Sequence, residues 1–209
     1  MQERLSPERI DALWDFGDPA ASAERFAREP ATSAKAGAEL ATQRARALGL
    51  DGRGSEAHAL LDGIVVTDPL VATRVALERG RLLNSAGRAD EAVPLFAEAL
   101  RCAQLAADDF LTVDALHMLA IADEEHSDEW MARGIRVIEG SMDARTQRWG
   151  IALHNNRGWR LFDSGLFAEA LAEFELAAVN ARDHGTAQQK VWAQEAIDEA
   201  RQALTAPPQ

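Results

Sequence analysis

Along most of the chain, apolar residues recur every three or four positions, and the stretches that carry them are separated by glycine, proline or acidic turns. That pattern predicts helices with one buried stripe each, joined by short connections that set neighbours antiparallel. Ser6-Pro7-Glu8-Arg9 opens the first helix with a capping serine, a proline at its first position and an acid in its first turn. Its stripe is Ile10, Leu13 and Trp14. Asp18-Pro19 repeats the signal for a helix carrying Ala23 and Phe26, and Pro30 closes it. A long helix then runs from Thr32 or Ser33 to about Leu48, Gly52 breaks it, and Glu56 to Leu61 begins its partner. Asp68-Pro69 caps the next helix, whose partner extends to about Leu105 and tolerates Pro94 near its start. Phe110 to Ala122 places Val113, Leu116, Leu119 and Ala120 on one face, but no glycine follows. The acidic run DEEHSDEW comes instead, and the next helix carries Trp130, Gly134, Ile135 and Ile138, so this turn is shortened. A further helix starts after Ser141-Met142-Asp143. The last one follows Gly185-Thr186, with Val191, Trp192, Ala196, Ile197 and Ala200 apolar, and the tail from Thr205 to Gln209 is expected to fray.

Two of these pairs are copies. In 151–178, Gly158, Leu161, Gly165, Ala170, Phe174 and Ala177 stand at the offsets of Gly80, Leu83, Gly87, Ala92, Phe96 and Ala99 in 73–100. A glycine inside a helix costs about 1 kcal/mol relative to alanine, so Gly80 and Gly158 imply a neighbour that approaches too closely for a side chain. Gly87 and Gly165 follow the last apolar residue of the first helix, where the chain commonly turns through a left-handed conformation. Ala92 and Ala170 let the second helix cross closely. Phe96 and Phe174 fill the wedge one turn on, and Ala99 and Ala177 leave room for the next pair. A weaker copy places Ala45, Leu48, Gly52, Ala57 and Leu61 at the corresponding positions.

A small-x-x-leucine, glycine, alanine, bulky, small pattern over about 34 residues resembles the tetratricopeptide repeat, a helix-turn-helix unit. The resemblance is specific in two copies, weaker in two more, and covers roughly residues 37 to 180. It implies an all-α, right-handed α-solenoid whose inner face, lined by the first helix of each pair, binds proteins or peptides. On that reading 1–30 is an N-terminal helical lid over the end of the stack. Residues 31–184 are four repeat-like pairs, the third degenerate, and 185–209 are a C-terminal solvating helix and tail. The groove positions implied by the alignment are Glu39, Thr42 and Arg46; Arg74, Leu77, Arg81 and Asn84; Asp114, His117 and Ile121; and Ala152, Asn155, Trp159, Phe162 and Asp163. Among them Arg46, Arg74, Arg81, Asn84, His117, Asn155, Trp159 and Asp163 are the candidate partner-binding residues. Guanidinium groups suit bidentate capture of a carboxylate, and an indole beside an asparagine has the anatomy of an interface hot spot. The competing reading pairs the arginines with Glu39, Glu78 and Asp114 and tucks Trp159 under the terminal helix. The family's carboxylate clamp for chaperone tails is not reproduced, since its places hold Thr42, Arg46, Glu78, Asp114 and Met118.

Composition narrows the function. With 34 acidic against 22 basic residues the formal charge is −12, which disfavours nucleic acid as a partner. Only Lys35 and Lys190 are lysines and alanine is abundant, a composition resembling high-GC bacterial coding. Cys102 is the sole cysteine, so no intrachain disulfide forms and a cytoplasmic setting is expected. The charged start, MQERLSPERIDALWDF, lacks the apolar core of a signal peptide. No run approaches the roughly 20 apolar residues of a membrane helix, so no membrane role is expected. His126 stands among acids with no second histidine or cysteine at ligand spacing, so no metal is expected. His117 and His154 could neighbour each other across adjacent helices, yet no nucleophile is motif-placed beside them, and no phosphate loop or dinucleotide fingerprint occurs. The expectation is therefore a noncatalytic scaffold for a protein or extended peptide, without cofactors. Two rivals stay open: a sensor that binds a small signalling peptide or metabolite in the same groove, and a homodimer through the exposed flank of the last helix.

Overall fold

The computed structural model describes residues 4–205, and within them every regular element is helical. The tail at 206–209 lies outside the described residues. In chain order the helices are α1 (Pro7–Leu13), α2 (Pro19–Arg28), α3 (Ala34–Leu50), α4 (Gly54–Asp62), α5 (Pro69–Ser85), α6 (Ala89–Leu105), α7 (Asp109–Ala122), α8 (Ser127–Gly140), α9 (Ala144–Gln147), α10 (Trp149–Asp163), α11 (Phe167–His184) and α12 (Ala187–Thr205). The described residues divide at Leu111/Thr112, inside α7, into two compact units.

In the first unit the expected starts hold. The side chains of Ser6, Asp18, Ser33 and Asp68 each accept a hydrogen bond from an amide two or three residues on, opening α1, α2, α3 and α5. Helices α3 and α4 form one hairpin and α5 and α6 the next, with α5 also lying against α3 and α2 packing on α3. Gly52 and Gly87 take φ of 77° and 74°, the left-handed turns that end α3 and α5. Inside the second hairpin a Cβ built on Gly80 would collide with the ring of Phe96, which is wholly buried. The neighbour that requires this glycine is thus an aromatic ring from the paired helix. At the corresponding positions the first hairpin has Ala45 and Leu61, both buried in one core cluster: a smaller wedge with a larger floor.

Between α6 and α7 the turn uses Ala107, the one described non-glycine residue in the left-handed region, at φ 50°. A side chain there costs about 1–2 kcal/mol, partly offset by the lower chain entropy of alanine in the unfolded state. Ala107→Gly is therefore expected to raise stability by about 0.5–1 kcal/mol, read as a higher urea midpoint with an unchanged slope.

In the second unit, Val113 and Ala120 of α7, Met131 of α8 and Leu153 of α10 share a core. The degenerate turn is closed by a single 3-10 turn at Glu124–His126, and Ser127 Oγ donates to the Ala120 carbonyl at 2.7 Å, replacing the missing glycine device. Gly134 faces the end of the Leu153 side chain. The following helix comes in two pieces, α9 and α10, where the sequence predicts one. Helices α10 and α11 form the best hairpin: Gly165 has φ 76°, Phe174 is fully buried, and a Cβ on Gly158 would strike its ring as in the earlier copy. Helix α12 lays Ala196, Ile197 and Ala200 against Ala170 and Phe174.

Candidate functional site

Helices α3 and α5 each present a row of polar side chains at i, i+4 and i+7, hence on one face: Glu39, Gln43 and Arg46, then Arg74, Glu78 and Arg81. Glu39, Gln43, Arg74 and Glu78 are buried, although charged residues seldom are. Such a row must be satisfied locally, because a buried ion without partners is strongly unfavourable. On α5, Arg81 donates to Glu78 three residues earlier. Asn84 is half-buried at the C-terminal end of α5. Arg79 reaches Asp62 of α4 at 2.7 Å.

On α3 the row is covered by the chain's own beginning. The Leu5 N–H donates to Glu39 Oε2 at 3.1 Å. Arg4 Nε lies 3.4 Å from the other oxygen of that carboxylate, an ion contact without hydrogen-bond geometry. One and two turns along α3, Trp14 Nε1 donates to Gln43 Oε1 at 2.9 Å, and the Arg46 guanidinium stands 5.7 Å from the Trp14 ring centre and 5.8 Å from that of Phe16. Trp14 and Phe16 are stacked at 4.6 Å, and Trp14 also meets Phe26 of α2 edge-on. Burial pushes the Glu39 carboxyl above the usual carboxylate range, against the pull of Arg74, Arg4, the Leu5 amide and Lys35.

In the second unit the candidates take separate partners. His117 Nε2 lies 3.0 Å from the side-chain nitrogen of Asn156, and its ring is 5.2 Å from Trp149. His154 instead meets Glu173 of α11 at 2.7 Å, and Arg157 reaches the same carboxylate at 3.1 Å. The two histidines therefore do not form a pair. Trp159 is half-buried and edge-on to Phe174 (4.9 Å) and Phe162 (5.4 Å), packed on the cluster that includes Ile197 of α12. Asn155 is half-buried on α10, and Asp163 is exposed at its last position. Gln43, Asn156 and Glu173 were missed by the sequence reading, which placed Trp14 in the apolar stripe of the first helix without its bond to Gln43. Gln43 could have been found, since it lies one turn from Glu39 on the same face.

Among the described residues no group of three or more His, Cys, Asp and Glu side chains is placed to hold a metal, and no helix is long and apolar enough to cross a membrane. No protein-family model, curated protein or solved structure matches the chain.

Proposed function

We propose that the chain is a noncatalytic recognition scaffold of the tetratricopeptide type, a right-handed α-solenoid that binds an extended protein or peptide segment along the polar faces of its first-of-pair helices. One observation carries the reading. Helices α3 and α5 each bury two polar side chains at matching repeat offsets, Glu39 and Gln43 on one and Arg74 and Glu78 on the other, and on α3 Glu39 accepts a hydrogen bond from the main-chain N–H of an extended segment. A main-chain contact of this kind is what an extended ligand offers whatever its side chains. The net charge of −12 favours partners with basic groups over phosphate backbones.

The test is to recover a stoichiometric partner from the native host and titrate it against the purified chain and an Arg81→Ala/Trp159→Ala variant. The variant is expected to bind about tenfold or more weakly with unchanged helix content by circular dichroism. Equal affinity would assign recognition to another surface.

A further inference from the structure

The amino-terminal segment does something on α3 that a simple end cover does not require. Arg4, Leu5 and Ser6 precede α1 and are not helical, and Ser6 has extended backbone angles. This short strap joins residues far apart in sequence: beyond the ion contact of its Nε with Glu39, Arg4 donates from Nη2 to Asp108 Oδ2 at 2.7 Å, in the turn between α6 and α7. The Leu5 side chain is buried in one apolar cluster with Ile10, Leu13, Phe26 and Leu40. One guanidinium between two carboxylates, one main-chain N–H on a fully buried glutamate and one apolar side chain packed in a buried cluster are the three elements of a peptide subsite. Its occupant is held at its edge, since the Arg4 side chain remains 39 % exposed and surface ion pairs contribute little.

Building on the proposed function, we propose that Glu39, Asp108 and the apolar side chains around Leu40 form a subsite for an extended peptide carrying an arginine followed by an apolar residue. Residues 4–5 stand in as an internal ligand, and a partner segment of the same chemistry binds by displacing them. A tethered occupant competes at a high effective concentration, so the subsite stays closed to weak or poorly matched peptides.

The experiment uses the full chain and a fluorescein-labelled peptide with the sequence of residues 4–9, followed by anisotropy. An Arg4→Ala/Leu5→Ala variant is expected to bind this peptide at least about tenfold more tightly than the unaltered chain. Adding Glu39→Gln to the opened variant, or replacing the peptide's arginine with alanine, is expected to remove that gain. Equal binding to the opened and unaltered chains, no binding to an opened chain of native helix content, or a gain indifferent to Glu39→Gln would each overturn the proposal. Should the double variant lose helix content, Arg4→Ala alone carries the same comparison. The two readings fail separately. Lost peptide binding with a partner still sensitive to Arg81→Ala/Trp159→Ala removes only the strap, whereas a partner indifferent to that variant removes the groove reading itself.

Discussion

Phe174→Ala lowers the free energy of unfolding by about 3–5 kcal/mol, and Phe96→Ala does the same in the other unit. Both rings are completely buried, and each sits on a glycine of the paired helix, so truncation removes the ring's transfer free energy and leaves a cavity with a backbone floor. Neither floor can rise to fill it, because Gly80 and Gly158 are fixed in the interior of long helices. The loss is read as a drop in melting temperature on the order of 10 °C, or as a lower urea midpoint. An unchanged midpoint would show that these rings are not the wedges that hold the hairpins.

The hairpins were legible because their determinants are local. A glycine, a phenylalanine and two alanines at fixed spacing state both the turn and the crossing, and Gly87 and Gly165 adopt the left-handed angles their positions imply. The first hairpin shows the limit of that legibility. Ala45 and Leu61 fill the corresponding positions with different volumes, so the pattern weakens while the packing persists.

Elements fixed by long-range pairing were not legible. Nothing in the periodicity of 4–16 says that Arg4 meets Asp108 or that Trp14 meets Gln43, because polar contacts over such separations leave no period in the sequence. The helices at 1–30 were expected to cover an apolar end. In the structure Leu5 and Trp14 also engage the polar face of α3, the face the alignment had assigned to a ligand. Likewise His154 turns to Glu173 on its paired helix and not to His117, a choice set by the facing of α10 and α11. The division of one predicted helix into α9 and α10 falls at Arg148 and Trp149, with Gly150 next, and a lone glycine inside a helical pattern does not by itself mark a break.

The reading of function rests on the two hairpins being copies of one mechanical unit, and a double-mutant cycle tests that most directly. Gly158→Ala alone is expected to destabilise by about 1–3 kcal/mol, because the new methyl group meets the Phe174 ring. In the Phe174→Ala background the same change meets empty space and is expected to stabilise by up to about 1 kcal/mol through helix propensity. The resulting coupling is on the order of 2 kcal/mol, and the Gly80/Phe96 cycle is expected to give the same sign and a similar size. Additive effects in either hairpin would contradict the shared glycine-on-ring seam.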